Sequence, residues 1–488
     1  MRTVNKKDAR VEMYRFFRMS FITAGVSLAW LVTASLQAQQ ASPQWDTIEP
    51  ELLRHFQTLL RMDTSDPPGN EQPAADYVAS MLEQEGIPVQ VFTREPGRPN
   101  VVARLSGDGS REPLLLMAHT DVVSVDPAKW VHPPFSATRD GGHIYGRGTL
   151  DDKDSVATAL TVMLLLKRLE IPLNRDVIFL AEAGEEINTS VGIEFLVNEH
   201  YEEIAAEYCI AEAGGVQRQD GEVRFASVET LEKIPRAVQL TSRGPAGHGS
   251  VPRLTNPVVR LAAAVTAVAN WQPPVRTNET TTAYFDRLAR LSSPEDAARY
   301  QAAIGPDAEA ALRAAEYLLE HEPRHSSMLR TSISPTIIDG GYQVNVIPGE
   351  AVATLDVRML PDEDPEALLA TLRNVINDPT VTVSFIPRDT RPVADNGPLD
   401  SQPFEIIQSM LAKHYEATTL PTMSTGATDM AYLRAKGMRC YGVGPATDIE
   451  DVALGFAAHS DQERILEEEL YRFLRFYWDV VIEIAGAN

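Results

Sequence analysis

Short, unbroken apolar runs alternate with amphipathic segments along this chain, and several of the runs end in an acid or a histidine. Leu114-Leu115-Leu116-Met117 and residues 177–181 contain no polar residue. A strand of that kind must be covered on both faces, which requires a sheet sandwiched between helices. Around these runs the period changes to that of a helix: Leu52, Leu53, Phe56, Leu59 and Leu60 fall on one face of a helix expected over 50–62. Residues 63–70 are turn chemistry, a second helix is expected over 71–86, and strands over 89–92 and 100–105. A helix over 155–169 continues the alternation, so the fold class is α/β.

The 488 residues leave room for two or three domains at about 150 residues each. From about residue 236 the order becomes strand 237–241, helix 256–270, an Ala/Glu/Arg-rich helical stretch 294–320, strands 331–338 and 351–358, helix 365–376 and strand 380–386. That β-α-β-β-α-β order with extra helices predicts a small inserted domain. The expected division is 39–235 and 389–488 for the two parts of the main domain and 236–388 for the insert.

Residues 1–38 differ from the rest. Arg2, Lys6, Lys7, Arg10, Arg15 and Arg18 precede an apolar run over 21–36, then Leu36-Gln37-Ala38, the pattern of a cleavable secretory signal. A periplasmic or secreted location follows, with an uncleaved anchor as the alternative. No other stretch is long and apolar enough to span a bilayer. The chain has 44 basic and 68 acidic residues, a net charge of −24, so it would repel a phosphate backbone, and nucleic acid is excluded as a partner. Cys209 and Cys440 are the only cysteines and sit in apolar segments, as two buried thiols or one bridge.

The chemistry is concentrated where strands end. His119 and Asp121 are two residues apart at the end of the first run, on one face, where a carboxylate can fix the imidazole for metal ligation. Gly146-Arg147-Gly148-Thr149-Leu150-Asp151-Asp152-Lys153 opens a helix with two adjacent carboxylates, more than helix capping needs. Glu185 and Glu186 follow the second run, and two adjacent glutamates repel unless a cation is present. Glu212 ends another short strand, and His459, followed by Glu463, lies near the C-terminus. Two histidines and three carboxylates with a spare glutamate are the inventory of a two-metal site with a shared carboxylate. Imidazole with carboxylate suits zinc, cobalt or manganese.

His119-Thr120-Asp121-Val122-Val123, residues 146–153, Glu185-Glu186, Gly247-His248-Gly249-Ser250-Val251-Pro252, Asn345-Val346-Ile347-Pro348 and Gly426-Ala427-Thr428-Asp429 together resemble the ordered motifs of the co-catalytic zinc amidohydrolases. That family includes aminoacylase, acetylornithine deacetylase, succinyl-diaminopimelate desuccinylase and glutamate carboxypeptidase. The stretch 130–152 most resembles its carboxypeptidase S branch. The resemblance implies a three-layer catalytic domain with an inserted ferredoxin-like lid and dimerisation domain, and two Zn2+ per subunit, with Co2+ or Mn2+ as alternatives. It makes Asp151 the bridging ligand, His119 and Glu212 the rest of one metal site, and Glu186 and His459 the rest of the other. Glu185 becomes the general base, Asp121 the residue orienting His119, and the Asp151-Asp152 peptide cis. His248 would hold the oxyanion, often across a homodimer, and Asn345 would contact substrate. Arg391 and Arg358 compete for the substrate carboxylate, with a surface salt bridge as the alternative for either, and Gly426 and Thr428 join the substrate-binding set.

Three positions depart from the family pattern: Gly184 stands before the Glu-Glu pair where Asp is usual, Glu212 sits in Ala-Glu-Ala rather than Asn-Glu-Gly, and Ala427 replaces a frequent Gly. No ligand is lost. The expected function is hydrolysis of the amide bond of C-terminal amino acids in peptides or N-acyl amino acids. A deacylase of one small metabolite is the alternative, and an exported peptide- or metal-binding protein is a third reading that leaves Glu185 unexplained.

Overall fold

Alternate side chains of the apolar runs enter opposite layers, which is why the runs show no polar alternation. Leu114, Leu116 and Ala118 join one buried cluster and Leu115 and Met117 another. Phe179 and Ala181 divide from Ile178 and Leu180 in the same way. The computed structural model describes residues 43–386, 391–393, 395 and 397–487, and the expected leader at 1–38 lies outside the described residues.

Helices α1 (Trp45–Leu60) and α2 (Gln72–Gln84) lead into strands β1 (Val89–Thr93), β2 (Pro99–Leu105) and β3 (Leu114–His119). Helix α3 (Lys153–Arg168) and strands β4 (Val177–Glu182), β5 (Tyr208–Ala211), β6 (Gly215–Gln219) and β7 (Glu222–Glu232) follow. The insert runs β8 (Ile234–Arg243), α4 (Pro257–Asn270), α5 (Glu279–Arg290), α6 (Pro294–Ala303), α7 (Ala308–His321), α8 (Pro323–Met328), β9 (Ser332–Gly340), β10 (Glu350–Met359), α9 (Pro365–Ile376) and β11 (Val381–Phe385). Helix α10 (Gln402–Tyr415), strands β12 (Thr419–Ser424), β13 (Arg439–Gly442) and β14 (Ala446–Asp448), and helices α11 (Ile449–Leu454) and α12 (Glu467–Ala485) complete the chain.

The large sheet has the order β1-β2-β4-β3-β5-β13-β7-β6-β14, with β12 beside β7. Strands β4, β3, β5 and β13 are mutually parallel, so their carboxyl ends lie along one edge, the usual place for a ligand site in such a sheet. One face is covered by α1, α3, α10 and α12, the other by the short helices Ile193–Glu199 and Met430–Arg434. Helix α3 runs through the centre of the first layer, and its residues 153–166 are all buried.

The second sheet is antiparallel in the order β9-β10-β8-β11, which numbered within the insert is 2-3-1-4. With α4 and α9 sharing its buried cluster, this is the ferredoxin-like arrangement. Asp364 caps α9 by accepting the N–H groups of Glu366 and Ala367, and Asn377, at φ 50°, ends it. Helices α5 to α8 behave differently. Phe285, Leu288, Tyr300 and Leu318 pack with Phe225, Leu231, Leu420 and Met423 of the large sheet, so these helices belong to the main body although they lie within the insert in sequence.

Two boundaries differ from expectation for local reasons. The stretch 294–320 is two helices, α6 and α7, because Gly305-Pro306 breaks it and Asp307 caps the second. Helix α1 begins at Trp45, a turn before Pro50, the position the sequence offered as its start. Cys209 and Cys440 are both free and buried, and they face each other on the paired strands β5 and β13.

Because α3 carries the loop of Asp151 at its N-terminus and is packed on every side, Leu160→Ala is expected to cost about 2–5 kcal/mol. A lowered urea midpoint with an unchanged slope, followed by circular dichroism, checks this.

Candidate metal centre

The parallel strands bring three sequence clusters to one edge. His119 is the last residue of β3, Glu185 and Glu186 lie just beyond β4, and Glu212 follows β5. Asp151 comes from the loop before α3 and His459 from the loop after α11. Asp151 faces both histidines, with Oδ1 2.9 Å from His119 Nε2 and Oδ2 3.0 Å from His459 Nε2. Glu212 Oε2 lies 3.8 Å from His119 Nε2, and Glu186 Oε1 lies 3.2 Å from His459 Nε2. Glu185 joins the first group: ligand atoms of His119, Glu185 and Glu212 lie within 4.8 Å of one another, as do those of His119, Asp151 and Glu186. The Asp151-Asp152 peptide is cis, as the resemblance implies.

Asp121 holds this arrangement from behind. Its Oδ1 accepts the N–H groups of Gly184 and Glu185 at 2.9 and 3.2 Å, and its Oδ2 accepts that of Glu186 at 3.0 Å. Its backbone oxygen lies 3.1 Å from His119 Nδ1, which leaves Nε2 directed at Asp151 and Glu212. The turn requires glycine at 184, where φ is 80° and a Cβ would come 2.4 Å from the Asn188 backbone oxygen. The departure from Asp at this position therefore meets a backbone demand. Behind Asp121, the buried carboxylates of Asp66 and Glu71 are paired with Arg98 at 2.7 and 2.5 Å.

The charges show what the cluster can hold. Burial pushes Glu186 up to about 7, and burial with the neighbouring Glu185 does the same to Glu212. Burial also pushes Asp151 up, but hydrogen bonds to His119 and His459 hold it below the usual carboxylate range. His459 is raised to about 10 by its bonds to Asp151 and Glu186. His119 is desolvated, yet Asp121, Asp151 and Glu212 raise it well above the ordinary imidazole value. A set of carboxylates that draws positive charge onto two imidazoles fits a pair of divalent cations, with Asp151 shared between them.

A cavity of about 570 Å³ opens on the cluster, lined in part by Arg358, Arg391, Gly426 and Thr428. Arg391 is not a free cation there: it lies 2.7 Å from Glu185 Oε1 and 2.9 Å from Asp429 Oδ1. Arg358 pairs with Asp356 at 2.9 Å and is part of the same wall rather than only a surface pair. Thr428 donates its hydroxyl to Glu232 Oε2 at 2.7 Å. His248 and Asn345 stand apart from the cavity. They are exposed on a small ribbon of Gly247–His248 paired with Val346–Ile347, where Gly249 N donates to Asn345 O at 2.7 Å.

Sequence reasoning missed the clamp that joins the two halves of the centre. Arg147 and Glu463 are buried and lie 2.5 Å apart. Glu463 Oε1 also accepts the N–H of Leu150 at 2.8 Å, and the Glu463 backbone oxygen accepts that of Gly146 at 3.0 Å. The Asp151 loop is thereby fastened to the His459 loop across more than 300 residues of sequence. Both residues stood in quoted motifs, but nothing in the sequence said that they pair. Glu463→Gln is expected to lower stability by about 3–5 kcal/mol by leaving Arg147 unpaired. It should also weaken metal retention on dialysis, with melting temperature and metal content as the readouts.

The family model described as Peptidase family M20/M25/M40 matches residues 115–483. A probable carboxypeptidase S-like protein of Dictyostelium discoideum is 30% identical over 342 residues, covering 66% of this chain and 62% of that protein. An N-fatty-acyl-amino acid synthase/hydrolase of Xenopus tropicalis is 29% identical, covering 76% and 72%. Aminoacylase-1 of Mus musculus is 26% identical, covering 88% and 94%. Among solved structures, an M20 family metallo-carboxypeptidase from Sulfolobus solfataricus aligns with a TM-score of 0.68 at 20% identity, covering 88% of this chain and 98% of that one.

Proposed function

The chain belongs to peptidase family M20/M25/M40, and from that premise we propose that it is a dinuclear metal amidohydrolase that releases a C-terminal amino acid from a peptide or an N-acyl amino acid. The observation that carries the reading is Asp151, whose two oxygens face His119 and His459 at 2.9 and 3.0 Å, with Glu185 beside them. The name of the Dictyostelium relative supports a carboxypeptidase, and those of the Xenopus and mouse relatives support cleavage of acyl amino acids.

His119, Asp151 and Glu212 would hold one cation and Asp151, Glu186 and His459 the other, zinc being favoured by the imidazole and carboxylate donors and cobalt or manganese able to replace it. Bound there, the two cations would polarise the amide carbonyl and acidify water. Glu185 takes the proton of the attacking water on its carboxylate and returns it to the leaving nitrogen. Asp121 keeps Glu185 and Glu186 in place through their N–H groups. Arg358 and Arg391 stand on the cavity wall, each already paired, Arg358 with Asp356 and Arg391 with Glu185 and Asp429, so a substrate carboxylate would bind there by replacing one of these partners.

His248 and Asn345 lie outside their own chain's cavity, which is consistent with action on a second copy. The edge strand β9 and the exposed Ile337, Ile338, Tyr342 and Val344 offer the surface for a homodimer. The basic and apolar residues of 1–38 support an exported location.

Glu185→Gln is expected to lower kcat on blocked dipeptides and N-acyl amino acids by about 10²–10⁴-fold while metal content stays at two ions per chain. Chelation should abolish the wild-type activity, and zinc, cobalt or manganese should restore it. Retained turnover in Glu185→Gln would remove the base, and turnover in chelator would remove the metal reading.

A further inference from the structure

We infer that Arg391, oriented by the buried Asp429, positions the base Glu185 and does not serve as the ligand of the substrate carboxylate. This deepens the proposed function and rests on it. One guanidinium makes three contacts. Its Nη2 donates to Glu185 Oε1 at 2.7 Å and to the Glu185 backbone oxygen at 3.1 Å, and its Nη1 lies 2.9 Å from Asp429 Oδ1. The Glu185 N–H is held by Asp121 Oδ1 at 3.2 Å, so the peptide groups on both sides of the base and one oxygen of its side chain are fixed. Oε1 is thereby occupied, and Oε2 is the oxygen left to face the attacking water.

Arg391 stands on a rigid footing. Asp429 is buried, and the residue before it, Thr428, gives its N–H and its hydroxyl to Glu232 at 3.3 and 2.7 Å. Glu232 lies 3.4 Å from Arg434, which pairs with Glu229 at 2.6 Å, and all three of these residues are buried. From the other side, Arg236 of β8 donates to the Arg391 backbone oxygen at 3.4 Å. An unrestrained glutamate samples many rotamers, and a fixed donor on one of its oxygens removes that freedom before substrate arrives.

The same contacts argue against a carboxylate subsite at Arg391. Its side chain is 12% exposed, and a substrate that took the guanidinium would leave Glu185 or Asp429 as a buried charge without its partner. If Glu185 were the partner lost, the base would come loose at the moment it is needed. Arg358 differs. Its side chain and that of its partner Asp356 are 34% and 41% exposed, a surface pair whose loss costs little.

The test is a double-mutant cycle with metal-loaded, full-length protein, on an N-acetyl amino acid and a blocked dipeptide. Arg391→Ala is expected to lower kcat by about 10²-fold, the effect of a misplaced reacting group. KM should change by no more than about twofold, because ground-state binding is untouched. Asp429→Asn should lower kcat by about tenfold through the same displacement. In a Glu185→Gln background, Arg391→Ala should cost less than about twofold, since a residue that acts through the base has nothing left to act on. Millimolar guanidinium at constant ionic strength should restore part of the kcat of Arg391→Ala and none of that of Glu185→Gln. Where Arg391→Ala fails to fold, Arg391→Lys takes its place in the cycle. A raised KM with unchanged kcat makes Arg391 the carboxylate ligand and overturns the inference, as does an Arg391→Ala loss that adds in full to that of Glu185→Gln. Loss of a metal ion from both Arg391→Ala and Arg391→Lys, read by elemental analysis, overturns it by making the arginine a support of the metal centre. Wild-type protein inactive on both substrates, or Glu185→Gln as active as wild type, overturns the proposed function instead.

Discussion

One buried carboxylate, that of Asp121, fixes the geometry on which the rest of the centre depends. It takes three successive backbone N–H groups from the turn after β4, while its own backbone oxygen sits against His119 Nδ1. Three donors and an adjacent imidazole offset the cost of burying the charge, and together they hold Asp121 below the ordinary carboxylate range against its burial. The loop that presents Glu185 and Glu186 is thus tied to the strand that presents His119. A hinge between β3 and β4 would separate Glu185 and Glu186 from His119, and this bond set prevents it.

Around that joint the centre concentrates negative charge, and the protein answers with cations placed at specific points. Arg98 pairs with both Asp66 and Glu71 behind Asp121. Arg147 pairs with Glu463 beneath the Asp151 and His459 loops. Arg391 reaches Glu185 and Asp429 from the segment that follows the ferredoxin-like sheet. Each of these pairs joins parts of the chain far apart in sequence, so electrostatic compensation and assembly of the cleft are the same event. Loss of one partner leaves a buried charge, which costs more than the pair itself contributes. The candidate ligands Glu186 and Glu212 are left with raised proton affinity, which a divalent cation bound there would compete against.

The insertion serves two bodies. Strands β8 to β11 with α4 and α9 form a separate antiparallel layer that holds His248 and Asn345 away from the cavity. Helices α5 to α8 return to the main sheet through Phe285, Leu288 and Leu318. Sequence texture placed both groups in one domain because composition does not report which surface an amphipathic helix covers. Strands β6 and β7 are joined at Asp220-Gly221, where both residues have positive φ. The Asp-Gly pair there is a strong local turn signal.

The sequence by itself determined the α/β class, the strands that end in the candidate ligands and the closeness of His119 to Asp121. Those features are local: unbroken apolar runs, a two-residue period and an acid or histidine at a strand end are written within a few residues. Only the tertiary structure decided that Asp151 faces His119 and His459 with different oxygens, and that Arg391 rests on Glu185 and Asp429. It alone decided that Arg147 and Glu463 clamp two loops. These depend on contacts between residues separated by tens to hundreds of positions, and such contacts are set by how layers pack, which no local pattern of hydrophobicity or charge encodes.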